Sequence, residues 1–259
     1  MTTSIFLSAI CLSIIQGVTE WLPISSSGLL VIFEELVMLK DKNQNLLFNI
    51  ATHTGSLIAV IIYFKKEIFN IINNIPLILN ITIATIPVII FGFLVKFFNL
   101  NLFLQDIKIV AYATIFFSII LYLSDKTPVI KKFDRNISNK NAFYIGLAQV
   151  LALIPGTSRS GITISCARYL GFSRLDSAKF SFLISIPTLF AATVFGIGET
   201  AINFNKYIII FLLTGFFLSL IISLVCIKVF LSFVERYSLN IFVILRLIIG
   251  FVLLFYLAN

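Results

Sequence analysis

Six long apolar runs, at approximately 46–64, 75–95, 107–123, 180–198, 207–230 and 239–257, alternate with short polar breaks along this chain. Each is close to the roughly 20 residues an α-helix needs to cross the hydrocarbon of a bilayer. The runs are long and unalternated, which excludes the short period-two strands of a membrane β-barrel. Two further stretches, 4–36 and 141–171, follow a different pattern: apolar, then broken by Pro, Gly and Ser, then apolar again. Neither arm of either stretch is long enough to cross alone. Interrupted segments in matching positions of two halves predict re-entrant or broken helices. Irregular backbone survives at membrane depth only where protein or a water-filled cavity satisfies it.

The halves also match outside these breaks. Phe48–Val60 can be laid on Phe182–Val194 with weak identity but consistent order. Each half therefore reads as one re-entrant helix hairpin plus three transmembrane helices. Three crossings are odd, so the second half enters from the opposite side, which makes an inverted repeat. The expected fold is an all-α polytopic membrane protein, a single integral domain over 1–259. Its halves are 1–123 and 141–259, joined by a linker over 124–140.

Composition narrows the class further. The chain is 59% hydrophobic and 12% charged, with a mean hydropathy of +1.08. These values exclude disorder and an ordinary soluble domain. The net charge of +8 reads as cytoplasmic loops rather than nucleic-acid binding. In the inverted-repeat scheme five basic residues, Lys40, Lys42, Lys96, Lys108 and Lys206, share one side with the termini. Twelve lie on the other side, among them Lys66, Lys132, Arg168 and Arg174. That excess sets the second side as cytoplasmic, so the linker is cytoplasmic and both termini face outward. The start, Met1-Thr2-Thr3-Ser4, lacks the basic stretch of a cleaved signal peptide. Cys11, Cys166 and Cys226 are widely separated, without metal spacing, and read as inert thiols.

The chemistry concentrates in the two breaks. The first holds Gln16, Glu20, Pro23, Ser25, Ser26, Ser27 and Gly28; the second is Pro155-Gly156-Thr157-Ser158-Arg159-Ser160-Gly161. Each proline breaks an apolar helix just before a Ser/Gly turn. The N–H groups freed at the start of the next half-helix can point at an anion. Ser25, Ser26, Ser27, Thr157, Ser158 and Ser160 add hydroxyls, and Arg159 can grip phosphate oxygens through two parallel donors. Gln16 and Glu20, four residues apart, share a helix face. A buried Glu20 needs compensation, from Arg159, a divalent cation or a proton. It can hold Mg²⁺ against phosphate oxygens or carry a proton. A plain Glu20–Arg159 ion pair and serines that only cap their own helices are the bland alternatives.

Gln16-Gly17-Val18-Thr19-Glu20, Pro23-Ile24-Ser25-Ser26-Ser27-Gly28 and Pro155-to-Gly161 together resemble the undecaprenyl-diphosphatase family of the bacitracin-resistance type. The resemblance covers nearly the whole chain. It implies a membrane enzyme of the bacterial cytoplasmic (inner) membrane that hydrolyses undecaprenyl diphosphate to undecaprenyl phosphate and inorganic phosphate. That reaction recycles the carrier for cell-wall peptidoglycan synthesis and gives bacitracin resistance. It implies one site opening to the outer face, with Glu20, Ser26 and Arg159 catalytic. Around them it implies phosphate-binding Ser25, Ser27, Gly28, Thr157, Ser158, Ser160 and Gly161, with Gln16 auxiliary. Glu20 would also hold the metal, a divalent cation such as Mg²⁺ or Ca²⁺. The expected partners are a polyprenyl diphosphate lipid and the bilayer, and no nucleic acid.

One position departs from the family. A histidine usually follows the motif glycine, and here that residue is Leu29. The chain's single histidine is His53, an auxiliary candidate within the first spanning helix, beside Thr52, Thr54 and Gly55. The attacking group is Ser26 or an activated water. Broken helices in an inverted repeat also suit a transporter or flippase of a phosphorylated polyprenyl lipid.

Overall fold

The structure is a computed structural model that describes residues 3–26, 29, 42–71, 74–131, 137–198 and 206–258. The described residues are mostly helical, with no strand beyond one isolated bridge, Lys131 to Phe172. The helices are α1 (Thr3–Thr19), α2 (Lys42–Tyr63), α3 (Lys65–Ile71), α4 (Ile75–Phe97), α5 (Asn101–Leu104) and α6 (Ile107–Asp125). In the second half come α7 (Asn139–Val150), α8 (Arg159–Tyr169), α9 (Arg174–Ile197), α10 (Lys206–Arg236) and α11 (Asn240–Ala258). Five of these, α2, α4, α6, α9 and α10, contain stretches long and apolar enough to cross a membrane, and α11 carries a shorter apolar stretch. Each coincides with one of the six apolar runs. The protein is an all-α polytopic membrane protein.

The two interrupted stretches behave as their prolines require. Helix α1 ends at Thr19, and Glu20–Ile24 form turns before Ser26, which is again helical. Helix α7 tightens into a 3₁₀ turn at Leu151–Leu153, opens over Ile154–Ser158 and restarts as α8. The arm expected after Ser26 lies mostly outside the described residues. The hydrophobic pattern does not predict α3 and α5, which are too short to leave a periodic signal.

Packing crosses between the halves. Helix α1 lies on α10, and its counterpart α7 lies on α4. Helix α2 also lies on α10, while α9 packs on α4; α6 pairs with α11 and α2 with α9. Between α2 and α10 the backbones almost touch: a Cβ on Gly55 would sit 2.3 Å from the carbonyl oxygen of Phe216. Small residues are what allow such approach between apolar helices. A seam of hydroxyls lines the same interface. Ser56 Oγ lies 2.9 Å from Ser219 Oγ and 3.0 Å from Ser223 Oγ, and Ser219 donates to the carbonyl of Thr52 at 2.8 Å. In an apolar medium these bonds hold register that hydrophobic burial alone does not supply.

The linker expected over 124–140 is pinned rather than free at its first end. Asp125 is buried, receives Arg174 Nη2 at 3.1 Å and the backbone N–H of Leu239 at 3.0 Å. Arg168, also buried, donates to the backbone carbonyls of Asp125 and Thr127. Arg168 thus makes a buried tie between α8 and the segment that follows α6. The three cysteines are unpaired and partly buried.

Candidate active site

Helices α1, α2, α8 and α9 bring the two sequence breaks together. Arg159, the first residue of α8, donates through Nη2 to Glu20 Oε1 at 2.8 Å and through Nη1 to the carbonyl of Ser181 at 3.0 Å. Its guanidinium stands 5.7 Å from the centroid of Trp21, a cation–π distance. Trp21 itself is fully buried and meets Phe182 edge to face at 5.0 Å. Ser160 makes a second link between the breaks, donating to the carbonyl of Leu22 at 2.9 Å. Thr163 Oγ1 lies 2.7 Å from Ser181 Oγ, which ties α8 to α9 one turn further on. The carboxylate and guanidinium side chains are only 9% and 13% exposed. Removing either partner would leave a poorly solvated charge, which is costlier than the pair itself.

The second oxygen of Glu20 belongs to a different group. Gln16 Nε2 donates to Glu20 Oε2 at 2.9 Å and lies 3.2 Å from His53 Nε2. His53 Nδ1 lies 2.7 Å from the carbonyl of Asn49. With a carbonyl as partner, Nδ1 must carry the proton. Nε2 then faces Gln16 and Glu20 as the basic nitrogen, 3.8 Å from the carboxylate. The His53 side chain is 32% exposed, so a proton taken at Nε2 has Glu20 beside it and access to water. Leu29 packs against the hydrophobic core instead of entering this group. His53, from α2, supplies the imidazole beside the carboxylate. A His53→Ala variant is expected to lose about 100-fold in turnover, the low end of the range for an auxiliary proton-transfer group. A fold-only role would instead lower the melting temperature and leave turnover intact.

The two glutamines that lead the breaks have separate roles. Gln16 serves Glu20 and His53, whereas Gln149 is fully buried and donates to the carbonyl of Ala84 at 3.2 Å. Two serines share a backbone feature. Ser25 and Ser158 have φ of +99° and +65°, and they stand 133 residues apart, the same offset as Gln16 and Gln149. Positive φ in a serine costs about 1–3 kcal/mol and clusters at functional sites. Ser158 caps α8, its Oγ accepting from the N–H of Gly161 at 3.2 Å and lying 3.3 Å from Ser160 Oγ. Gly156, at φ +94°, approaches α6 so closely that a Cβ would lie 2.4 Å from the carbonyl oxygen of Val110.

Among the remaining candidates, Ser25 is buried and Ser26 half-buried. Thr157 is buried, and its hydroxyl has no hydrogen-bond partner. Ser27 and Gly28 lie outside the described residues. No group of three or more His, Cys, Asp or Glu side chains is gathered for a metal among the described residues. A cation here would rest on Glu20 and on ligands brought by a substrate. One residue escaped the sequence reading. Arg246 on α11 is 0% exposed, and its Nη2 donates to the carbonyl of Gly156 at 3.0 Å. The signal was present: a lone arginine inside the apolar run 239–257 is itself a functional-site flag.

Broken helices that bring a carboxylate, a guanidinium and a set of hydroxyls to one buried point define a polytopic membrane protein with a polar site between its two halves. The family model for the bacitracin resistance protein BacA matches residues 9–252. An undecaprenyl-diphosphatase from Pelagibacter ubique (strain HTCC1062) is 41% identical over 251 residues, covering 96% of this chain and 97% of that protein. One from Campylobacter curvus (strain 525.92) is 40% identical over 265 residues, covering 95% and 97%. The chain belongs to the BacA family.

Proposed function

We propose that this protein is an undecaprenyl-diphosphate phosphatase, releasing inorganic phosphate and returning undecaprenyl phosphate to cell-wall synthesis. The observation that carries this reading is the joining of the two polar breaks through Arg159 and Glu20 at 2.8 Å. Family membership and the names of the two relatives point the same way. The test is product analysis: purified protein given undecaprenyl diphosphate yields undecaprenyl phosphate and inorganic phosphate in equal amounts. Unchanged lipid would end the proposal.

In the proposed reaction the diphosphate competes with Glu20 for the Arg159 fork. The N–H groups at the start of α8 and the hydroxyls of Ser158 and Ser160 take further phosphate oxygens. Ser26 is the proposed nucleophile, because the described Ser25 hydroxyl beside it is buried. Ser26 Oγ bonds to the distal phosphorus as the bridging P–O bond to the lipid phosphate breaks. His53 Nε2 takes the hydroxyl proton, and Glu20 stabilises the imidazolium. Water then cleaves the phosphoserine. A divalent cation, Mg²⁺ or Ca²⁺, would be held by Glu20 and the phosphates, where it would neutralise charge on the transferred group. One carboxylate is a fitting protein share for Mg²⁺, which takes most of its ligands from phosphate and water.

The reciprocal packing of α1 on α10 and α7 on α4 supports the inverted repeat, with halves 1–123 and 141–259. A groove of about 390 Å³, lined by Leu46, Val88, Gly92, Leu153 and Ala192, supports an apolar berth for the polyprenyl chain. Its Leu153 belongs to the same broken segment as Pro155. The proposed setting is the cytoplasmic membrane: the basic-residue count supports the orientation of the loops, and the family resemblance implies that the site opens to the outer face. Single cysteines test it: position 40 should react with an impermeant thiol reagent in intact cells, and positions 66 and 132 only after permeabilisation. Labelling of Lys132→Cys in intact cells would overturn this orientation.

A further inference from the structure

Arg246 is a fully buried guanidinium within an apolar helix. Among the described residues the ion pairs belong to Glu20 and Asp125, and neither reaches Arg246. Its hydrogen bonds go to two backbone carbonyls, Gly156 at 3.0 Å and Thr114 at 3.4 Å. Its Nη1 and Nε have no partner. A buried charge without a counter-charge costs several kcal/mol, and cations at such depth mark function by default.

Its location supplies the reason. A Cβ on Gly161 would lie 2.8 Å from Arg246 Nη1, so the guanidinium stands against the first turn of α8. Gly161 is two residues after Arg159, hence on the opposite side of that helix. The first turn of α8 is therefore flanked by two guanidiniums, and the helix dipole adds positive charge at the same end. Glu20 answers only one of them. The Thr157 hydroxyl, in the turn that leads into α8, is also buried without a partner.

We propose that Arg246 is a positioning residue of the oxyanion site, clamping the Gly156 turn from behind and lending uncompensated charge to an anion bound at the start of α8. The ligand class is a phosphate or diphosphate group. The bound anion supplies the negative charge that the protein withholds. Arg246 does not touch the ligand; it sets the turn and the field that bind it. This inference rests on the phosphatase reading, but its test does not require turnover.

The test uses the full-length protein in detergent with inorganic pyrophosphate as probe, reading the concentration that gives half of the maximal thermal shift. Arg246→Met removes the charge at similar volume and is expected to raise that concentration about tenfold or more. Arg246→Lys keeps the charge and loses the two-carbonyl clamp. It is expected to fall between the parent and Arg246→Met in pyrophosphate binding, and to melt below the parent. Unchanged pyrophosphate binding in Arg246→Met, or equal weakening in the Met and Lys variants, would overturn the proposal. Should Arg246→Met fail to fold, Gly161→Ala probes the same contact: its methyl would meet Arg246 Nη1 at 2.8 Å and Ser158 at 3.2 Å, and pairing it with Arg246→Lys, which relieves only the first, separates the two. Weaker pyrophosphate binding by folded Gly161→Ala, brought back to the level of Arg246→Lys when the two changes are combined, supports it. Pyrophosphate binding by Gly161→Ala equal to the parent's contradicts it. Pyrophosphate binding with no release from the lipid would defeat the phosphatase reading and leave this inference standing.

Discussion

Replacing Glu20 by glutamine is expected to lower phosphate release by about 10³-fold, within the range lost with a positioned acid–base group. Glutamine keeps the shape and can still bond Gln16. It cannot neutralise Arg159, stabilise a protonated His53 or hold a cation. Glu20 is also the one acid in either sequence break. The loss should therefore appear in kcat, because the carboxylate serves steps after the diphosphate has bound. The variant leaves Arg159 buried without its partner, so its melting temperature should be measured beside the rate. A folded Glu20→Gln protein with near-parental turnover would remove the carboxylate from the chemistry.

Arg159→Lys is the second large effect, about 10²- to 10³-fold, the loss expected when an electrostatic donor to the transferred group is misplaced. Charge is conserved in this variant, so charge alone is not what it tests. Arg159 uses one nitrogen for Glu20 and another for the carbonyl of Ser181, while its face lies near Trp21. A lysine ammonium is a compact point charge and cannot satisfy that planar arrangement. Recovery of most activity with lysine would show that the guanidinium acts only as a cation.

Much of this architecture was legible in the chain. Apolar run length located every long helix, because lipid leaves a spanning segment little alternative to hydrogen bonding within itself. Pro23 and Pro155 located the two breaks, and the residue types around them located the oxyanion chemistry. What the sequence could not show was partnership. Gln16 and Gln149 occupy matching places, yet one joins Glu20 and His53 while the other holds the carbonyl of Ala84. The local pattern separates them only in part: Gln16 has Glu20 four residues on, where Gln149 has Leu153, and which helix packs opposite decides the rest. His53 is a candidate as the chain's single histidine in a polar, small stretch, and only the approach of α2 to α1 puts its ring beside Glu20. Arg246 is hard to see in the sequence because the long hydrophobic run 239–257 surrounds its single charge. Its importance comes from α11 packing against α6, which carries it to the Gly156 turn. Ser56, Ser219 and Ser223 likewise look unremarkable in sequence, and they gain meaning where α2 meets α10.

The claim that two distant sequence breaks form one phosphoryl-transfer site is tested most directly by a double-mutant cycle on Glu20 and Arg159. The measurement is kcat/KM for phosphate release from undecaprenyl diphosphate by purified protein in detergent, with no membrane gradient. Residues that act as a unit are strongly non-additive. Glu20→Gln combined with Arg159→Lys should cost about as much as the worse single change, near 10³-fold. Losses that multiply, to about 10⁵-fold or beyond, would show two independent contributions and contradict the single site.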